Sequence, residues 1–75
     1  MYNVSMDLVK AIIEAQKKRG LSNTALASLL GVPLSSWSRI KSRERPPNLE
    51  FAARVMVRLP ELALSVVDYM RDLGK

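Results

Sequence analysis

The residues able to do chemistry in this chain are cations and hydroxyls. None of the 75 residues is cysteine or histidine, which removes thiol nucleophiles, redox pairs, zinc-type ligand sets, imidazole acid–base catalysis and serine triads built on a histidine base. What remains is 12 Lys and Arg against 7 Asp and Glu, a net charge of +5. The cations are concentrated. Residues 15–58 hold nine of them (Lys17, Lys18, Arg19, Arg39, Lys41, Arg43, Arg45, Arg54 and Arg58) and two carboxylates, Glu44 and Glu50. That balance suits a polyanion, nucleic acid before an anionic membrane surface. No catalytic residue, metal site or cofactor is expected, and the chain reads as a non-enzyme.

Such cations need elements to hold them. The length bounds the chain to one domain, residues 1–75, and an apolar share of 48% with 25% charged residues predicts a folded core rather than a disordered tail. A core this small supplies little stability without staples, so tight helix packing or a partner subunit is expected. No apolar run reaches the roughly 18–20 residues of a membrane span, and Met1-Tyr2-Asn3 lacks the basic start of a secretory signal. The expected location is the cytoplasm.

Gly20, Gly31-Val32-Pro33, Pro46-Pro47-Asn48 and Pro60 punctuate the chain, and the apolar period between them is helical. In the first segment Leu8, Ile12 and Ala15 share a face with Val9, Ile13 and Gln16 beside it, Asn3 or Ser5 is a candidate cap, and Gly20 a candidate terminator. The second opens at Ser22 and runs two turns to Gly31. A third begins at Pro33 or Leu34, since Pro33 presets a first helical position, and turns Trp37 and Ile40 inward. Asn48 caps a fourth helix through Leu59 with an apolar stripe of Leu49, Ala52, Ala53, Met56 and Leu59. Pro60 starts a fifth, about 60–73, whose apolar set includes Ala63, Val67 and the candidate dimer residues Leu62, Val66, Tyr69, Met70 and Leu73. Trp37 is expected in the core rather than on a stacking platform, and Lys17-Lys18-Arg19 balance the end of the first helix.

Two short helices joined by a glycine-containing turn, here about 22–43, are the helix-turn-helix arrangement, whose second helix enters the DNA major groove. Ala27 where the helices approach, Gly31 in the turn and Val32, Trp37 and Ile40 fixing the second helix fall at the offsets it needs. At this point Arg19-Gly20-Leu21-Ser22-Asn23-Thr24-Ala25-Leu26-Ala27, then Leu30-Gly31-Val32, then Ser36-Trp37-Ser38-Arg39-Ile40-Lys41-Ser42 and Arg45-Pro46-Pro47, resemble the Cro/CI-type (XRE-like) helix-turn-helix repressor domain. The resemblance covers residues 5 to about 60. It implies an all-α, five-helix lambda-repressor-like DNA-binding fold, usually dimeric.

The resemblance puts Leu34, Ser35 and Arg39 at base-facing positions, with Ser38 close by. Arg pairs bidentately with guanine, serine gives or takes one hydrogen bond, and Leu34 suits a thymine methyl. Ser22, Asn23, Ser36, Lys41, Ser42, Arg43 and Arg45 are the expected phosphate contacts. Several positions depart from the family pattern, Leu34 among them in place of a common polar reader. Pro33 replaces the usual Ser or Thr cap. Gln16 and Lys41 stand where an Arg–Glu ion pair is common, which frees Lys41 toward DNA. Arg43 replaces a glycine, so either the helix exit differs or an arginine adopts positive φ.

The expected function is sequence-specific binding of double-stranded DNA, as a repressor acting as a homodimer on an inverted repeat. The rival reading is a protein-interaction module such as an antitoxin, with a toxin or other regulator as partner and DNA binding secondary. A basic membrane-surface protein is a third reading, disfavoured because the cations cluster around a turn motif.

Overall fold

Each helix starts and stops where local chemistry allows it. A computed structural model describes residues 4–73, with helices α1 (Val4–Arg19), α2 (Asn23–Leu30), α3 (Leu34–Lys41) and α4 (Leu49–Arg58), a 3₁₀ turn (Pro60–Leu62) and α5 (Ala63–Leu73). The fold is all-α, with five helices among the described residues. α1 ends on Lys17, Lys18 and Arg19, whose charges complement the carbonyl end of the helix dipole. Ser22 Oγ accepts the Ala25 N–H at 3.0 Å and Asn48 Oδ1 accepts the Phe51 N–H at 2.7 Å, so α2 and α4 begin with side-chain caps.

The core joins all five helices. Leu8, Val9, Ile12 and Ala15 of α1 meet Leu26, Ala27 and Leu30 of α2, Trp37 and Ile40 of α3, Phe51, Ala52 and Val55 of α4, Leu59, and Val66 and Tyr69 of α5, all buried. Trp37 stacks on Phe51 with ring centroids 6.2 Å apart and planes within 7°. The Trp37 ring is fully buried, so its place is the core, as its spacing from Ile40 predicts. Truncating such a ring costs about 3–5 kcal/mol. The Tyr69 hydroxyl donates to the Pro47 carbonyl, which ties α5 to the loop between α3 and α4.

Several boundaries and faces differ from expectation. Ser5 lies inside α1 and does not precede it, while Asn3 lies outside the described residues. Of the two expected starts of α3 the helix takes Leu34, and Pro33 is the extended residue before it at φ −62° and ψ 146°. Pro60 opens a 3₁₀ turn, and the α-helix proper starts at Ala63. α4 is rotated from the expected stripe: Phe51, Ala52, Val55 and Leu59 are buried, Met56 is half-buried, and Leu49 and Ala53 are exposed. Both stripes are apolar, and stacking on Trp37 favours the one that contains Phe51.

Candidate nucleic-acid interface

α3 is the element with two distinct faces. A helix turns about 100° per residue, so Leu34, Ser35, Ser38, Arg39 and the following Ser42 fall on one arc, while Ser36, Trp37, Ile40 and Lys41 fall on the other. Every member of the first arc is exposed. On the second arc Trp37 and Ile40 are buried and Ser36 and Lys41 half-buried. The four residues expected to read bases therefore share one open surface, and the buried arc fixes that surface to the core.

The expected phosphate contacts divide into groups. At the start of α2, the Ser22 cap accounts for the Ala25 N–H and the Ser22 carbonyl for the Leu26 N–H at 2.9 Å. The N–H groups of Asn23 and Thr24 precede the first intrahelical bond and point out of the helix end. Beyond α3, Arg43 and Arg45 are exposed. Arg45 lines a cleft of about 290 Å³ with Ser36, Gly31, Asn48 and Arg54, so Ser36 belongs to that cleft and not to the arc of Arg39.

Two of the expected phosphate contacts already have partners within the chain. The missing ion pair does not leave Lys41 without a partner: its Nζ donates one of three protons to Asn23 Oδ1 at 3.0 Å. The same oxygen accepts from Gln16 Nε2 at 2.9 Å and from Trp37 Nε1 at 3.1 Å. The vacated ion pair is thus replaced by one amide oxygen holding α1, α2 and α3 together, which leaves Asn23 only its Nδ2 protons for another partner. Ser42 does not present a spare donor either. Its single hydroxyl proton lies between the Arg39 carbonyl at 3.1 Å and Glu44 Oε2 at 2.9 Å.

The turns on either side of α3 have the same closure. The Gly31 N–H reaches Ser28 O at 3.1 Å and Val32 N–H reaches Ala27 O at 3.0 Å; after α3, Arg43 N–H reaches Ile40 O at 3.1 Å and Glu44 N–H reaches Arg39 O at 3.0 Å. Both are Schellman motifs with a left-handed residue at the hinge. Gly31 has φ 71° and Arg43 has φ 66°, so the second alternative for position 43 holds. Arg43 is the one non-glycine residue with positive φ among the described residues.

Arg54 and Glu61 were not foreseen. The Arg54 guanidinium crosses from α4 to the Leu30 carbonyl at 3.4 Å, and its Nη1 would lie 2.8 Å from a Cβ placed on Gly31. Glu61 receives Arg19 in a two-point pair, Nε to Oε2 and Nη2 to Oε1, both 2.8 Å. The Arg19 hydrogen bonds hold the Glu61 carboxyl far below its usual range, at about 2, and this contact raises Arg19 in turn. Both roles depend on residues 24 and 42 positions away, beyond the reach of local spacing.

A short helix with a small residue at the crossing, a Schellman turn, and a second short helix with one bare polar arc make this a helix-turn-helix protein. The family model for the antitoxin Xre-like helix-turn-helix domain matches residues 8–49, and the chain belongs to that family. No curated protein and no solved structure matches the chain. Among the described residues no helix is long and apolar enough to cross a membrane.

Proposed function

We propose that the chain binds double-stranded DNA sequence-specifically, as a homodimer on an inverted repeat, and represses transcription by occupying its site. The observation that carries this reading is the open arc of α3, where Leu34, Ser35, Ser38 and Arg39 are all exposed while Trp37 and Ile40 anchor the opposite side. Arg39 is the principal base reader, by two hydrogen bonds to a guanine, and the two serines and Leu34 complete the reading surface. Arg43 and Arg45, with the start of α2 at Ser22 and Asn23, hold phosphates and set the register. The work is recognition by a preformed surface, with no bond made or broken.

The test is fluorescence anisotropy on a site selected from random duplex DNA and on a scrambled control, across a salt series. Affinity falls steeply with salt, by about 0.9 counterions for each phosphate neutralised. Arg39→Ala loses about 1–3 kcal/mol on the selected site and relaxes discrimination at one base pair. A flat salt response, or no binding at low salt, rejects the reading. Equal losses on both DNAs would reduce Arg39 to a phosphate contact.

A second reading, neutralisation of a partner protein, is favoured by the antitoxin in the family's description and by apolar side chains exposed away from α3, among them Leu49, Val57 and Leu64. A chain that requires a co-expressed partner to stay in solution would support it.

A further inference from the structure

The dimer surface expected on α5 is largely consumed by folding. Val66 is 0% and Tyr69 1% exposed, both inside the chain's own core, Leu62 and Met70 are half-buried against it, and the Leu73 side chain lies outside what the structure describes. Leu64 and Val67 of α5 remain exposed, but the exposed apolar residues that form a regular stripe along one helix are on α4. Leu49, Ala53 and Val57 recur every fourth residue on its outer side, all exposed, with Leu49 at 61% and Val57 at 73%. Along the edge of that stripe run Glu50, Arg54 and Arg58, also exposed.

We infer that this outer face of α4 is the site where a second copy of the chain docks, by antiparallel α4–α4 packing about a two-fold axis at Ala53. The inference rests on the homodimer reading above and names its interface. The stripe matches its own reverse: antiparallel pairing centred on Ala53 sets Leu49 of one copy against Val57 of the other, twice. A two-fold contact requires this self-complementarity, because each surface must fit itself. The small residue falls at the crossing, where two helix backbones come closest.

The charges agree with that geometry. In an antiparallel pair the same edge of both helices meets, so Glu50 near the start of one α4 faces Arg58 near the end of the other. Two opposite-charge rim pairs result. Arg54, which would otherwise meet its own copy near the axis, is held within its own chain: Nη1 donates to the Leu30 carbonyl at 3.4 Å and Nη2 to Glu50 Oε2 at 3.5 Å, so Glu50 lies between its own Arg54 and Arg58 of the other copy. Arg54 also ties α4 to the turn entering α3. The two reading helices therefore move as rigid parts of the pair, as an inverted repeat demands.

The experiment measures mass by sedimentation equilibrium on the full chain, together with binding to a half site and to the whole repeat. The unaltered chain is expected to sediment as a dimer at about 100 μM. Ala53→Glu should give a monomer that still melts cooperatively, since residue 53 is exposed, with its midpoint lowered only at concentrations where the unaltered chain dimerises, and should bind the half site normally while losing the advantage of the repeat. Glu50→Arg and Arg58→Glu should each weaken self-association about tenfold, because the symmetry applies each change twice. Mixing these two variants should restore a heterodimer, as both rim pairs then regain opposite charges. An unaltered chain that stays monomeric at that concentration overturns the interface, as does an Ala53→Glu variant of undiminished mass or a mixture that fails to recover. The DNA reading fails separately, when neither half site nor repeat is bound.

Discussion

The turn that enters α3 and the turn that leaves it use the same pair of backbone hydrogen bonds and nearly the same left-handed φ, 71° at Gly31 and 66° at Arg43. One spends a glycine on that conformation and the other an arginine. The surroundings account for the difference. At Gly31 the Arg54 guanidinium occupies the space beside the backbone, whereas Arg43 faces solvent at the exposed end of α3. Left-handed geometry costs an L side chain about 1–2 kcal/mol wherever it occurs. The first turn would add a steric conflict to that cost; the second obtains a cation beside the exposed arc of α3 in return.

Substitutions at these turns can break or sharpen the contrast. Gly31→Ala should lose about 2 kcal/mol in urea denaturation, the left-handed cost plus displacement of Arg54. Repeating it in an Arg54→Ala background should reduce the loss to about 1 kcal/mol, leaving only the backbone part. A loss unaltered by removing Arg54 would mean that the guanidinium gives way freely. Arg43→Gly should move stability the other way, a gain of about 1 kcal/mol, while weakening selected and scrambled DNA alike and lowering the salt slope by about one. A variant that gains stability and keeps its DNA affinity would show that the arginine does not reach phosphate.

Gly20 supplies a control, with φ 66° and open space for 4 Å around the position a Cβ would take. Gly20→Ala should cost about 1 kcal/mol, the conformational part alone. The smallest effect concerns its neighbour, the Arg19–Glu61 pair, which is exposed and screened by solvent. The folded-state value of Glu61, about 2, lies below its ordinary value of 4.5. Any stability from the pair is therefore complete above the ordinary value and is lost as pH falls through about 2. The difference in melting temperature between the unaltered chain and Glu61→Gln should shrink over that window, and a difference constant down to pH 2 would discount the pair.

What could be read from the chain was its local chemistry. Ser22 and Asn48 cap helices, Gly20 and Gly31 close them, and Trp37 and Ile40 turn inward, because each of these depends on residues within a turn or two. The face of α4 was not legible: Leu49, Ala53 and Val57 are as apolar as Phe51, Ala52 and Val55, and the ring on Trp37 that decides between them is a tertiary contact. Val66 and Tyr69 show the same limit, since periodicity marks an apolar face without saying whether the chain itself or another copy covers it. That Leu34, Ser35, Ser38 and Arg39 share one exposed arc of α3 followed from spacing. The commitment of Lys41 and Ser42 to protein partners did not, since only folding brings Lys41 to Asn23, and the Ser42 proton is directed by the local path of the exit turn.

The Asn23 oxygen also makes the helix arrangement unequal in what it tolerates. Removing one donor, Gln16, Trp37 or Lys41, leaves the acceptor with two others; removing the acceptor strands two donors of buried residues at once, the Gln16 amide and the Trp37 indole, while the Lys41 ammonium returns to water. Substitutions at these four positions are therefore epistatic. A lineage can exchange the donors one at a time, but position 23 is open to change only after the others have ceased to need it, so the order of replacement is constrained by a single atom.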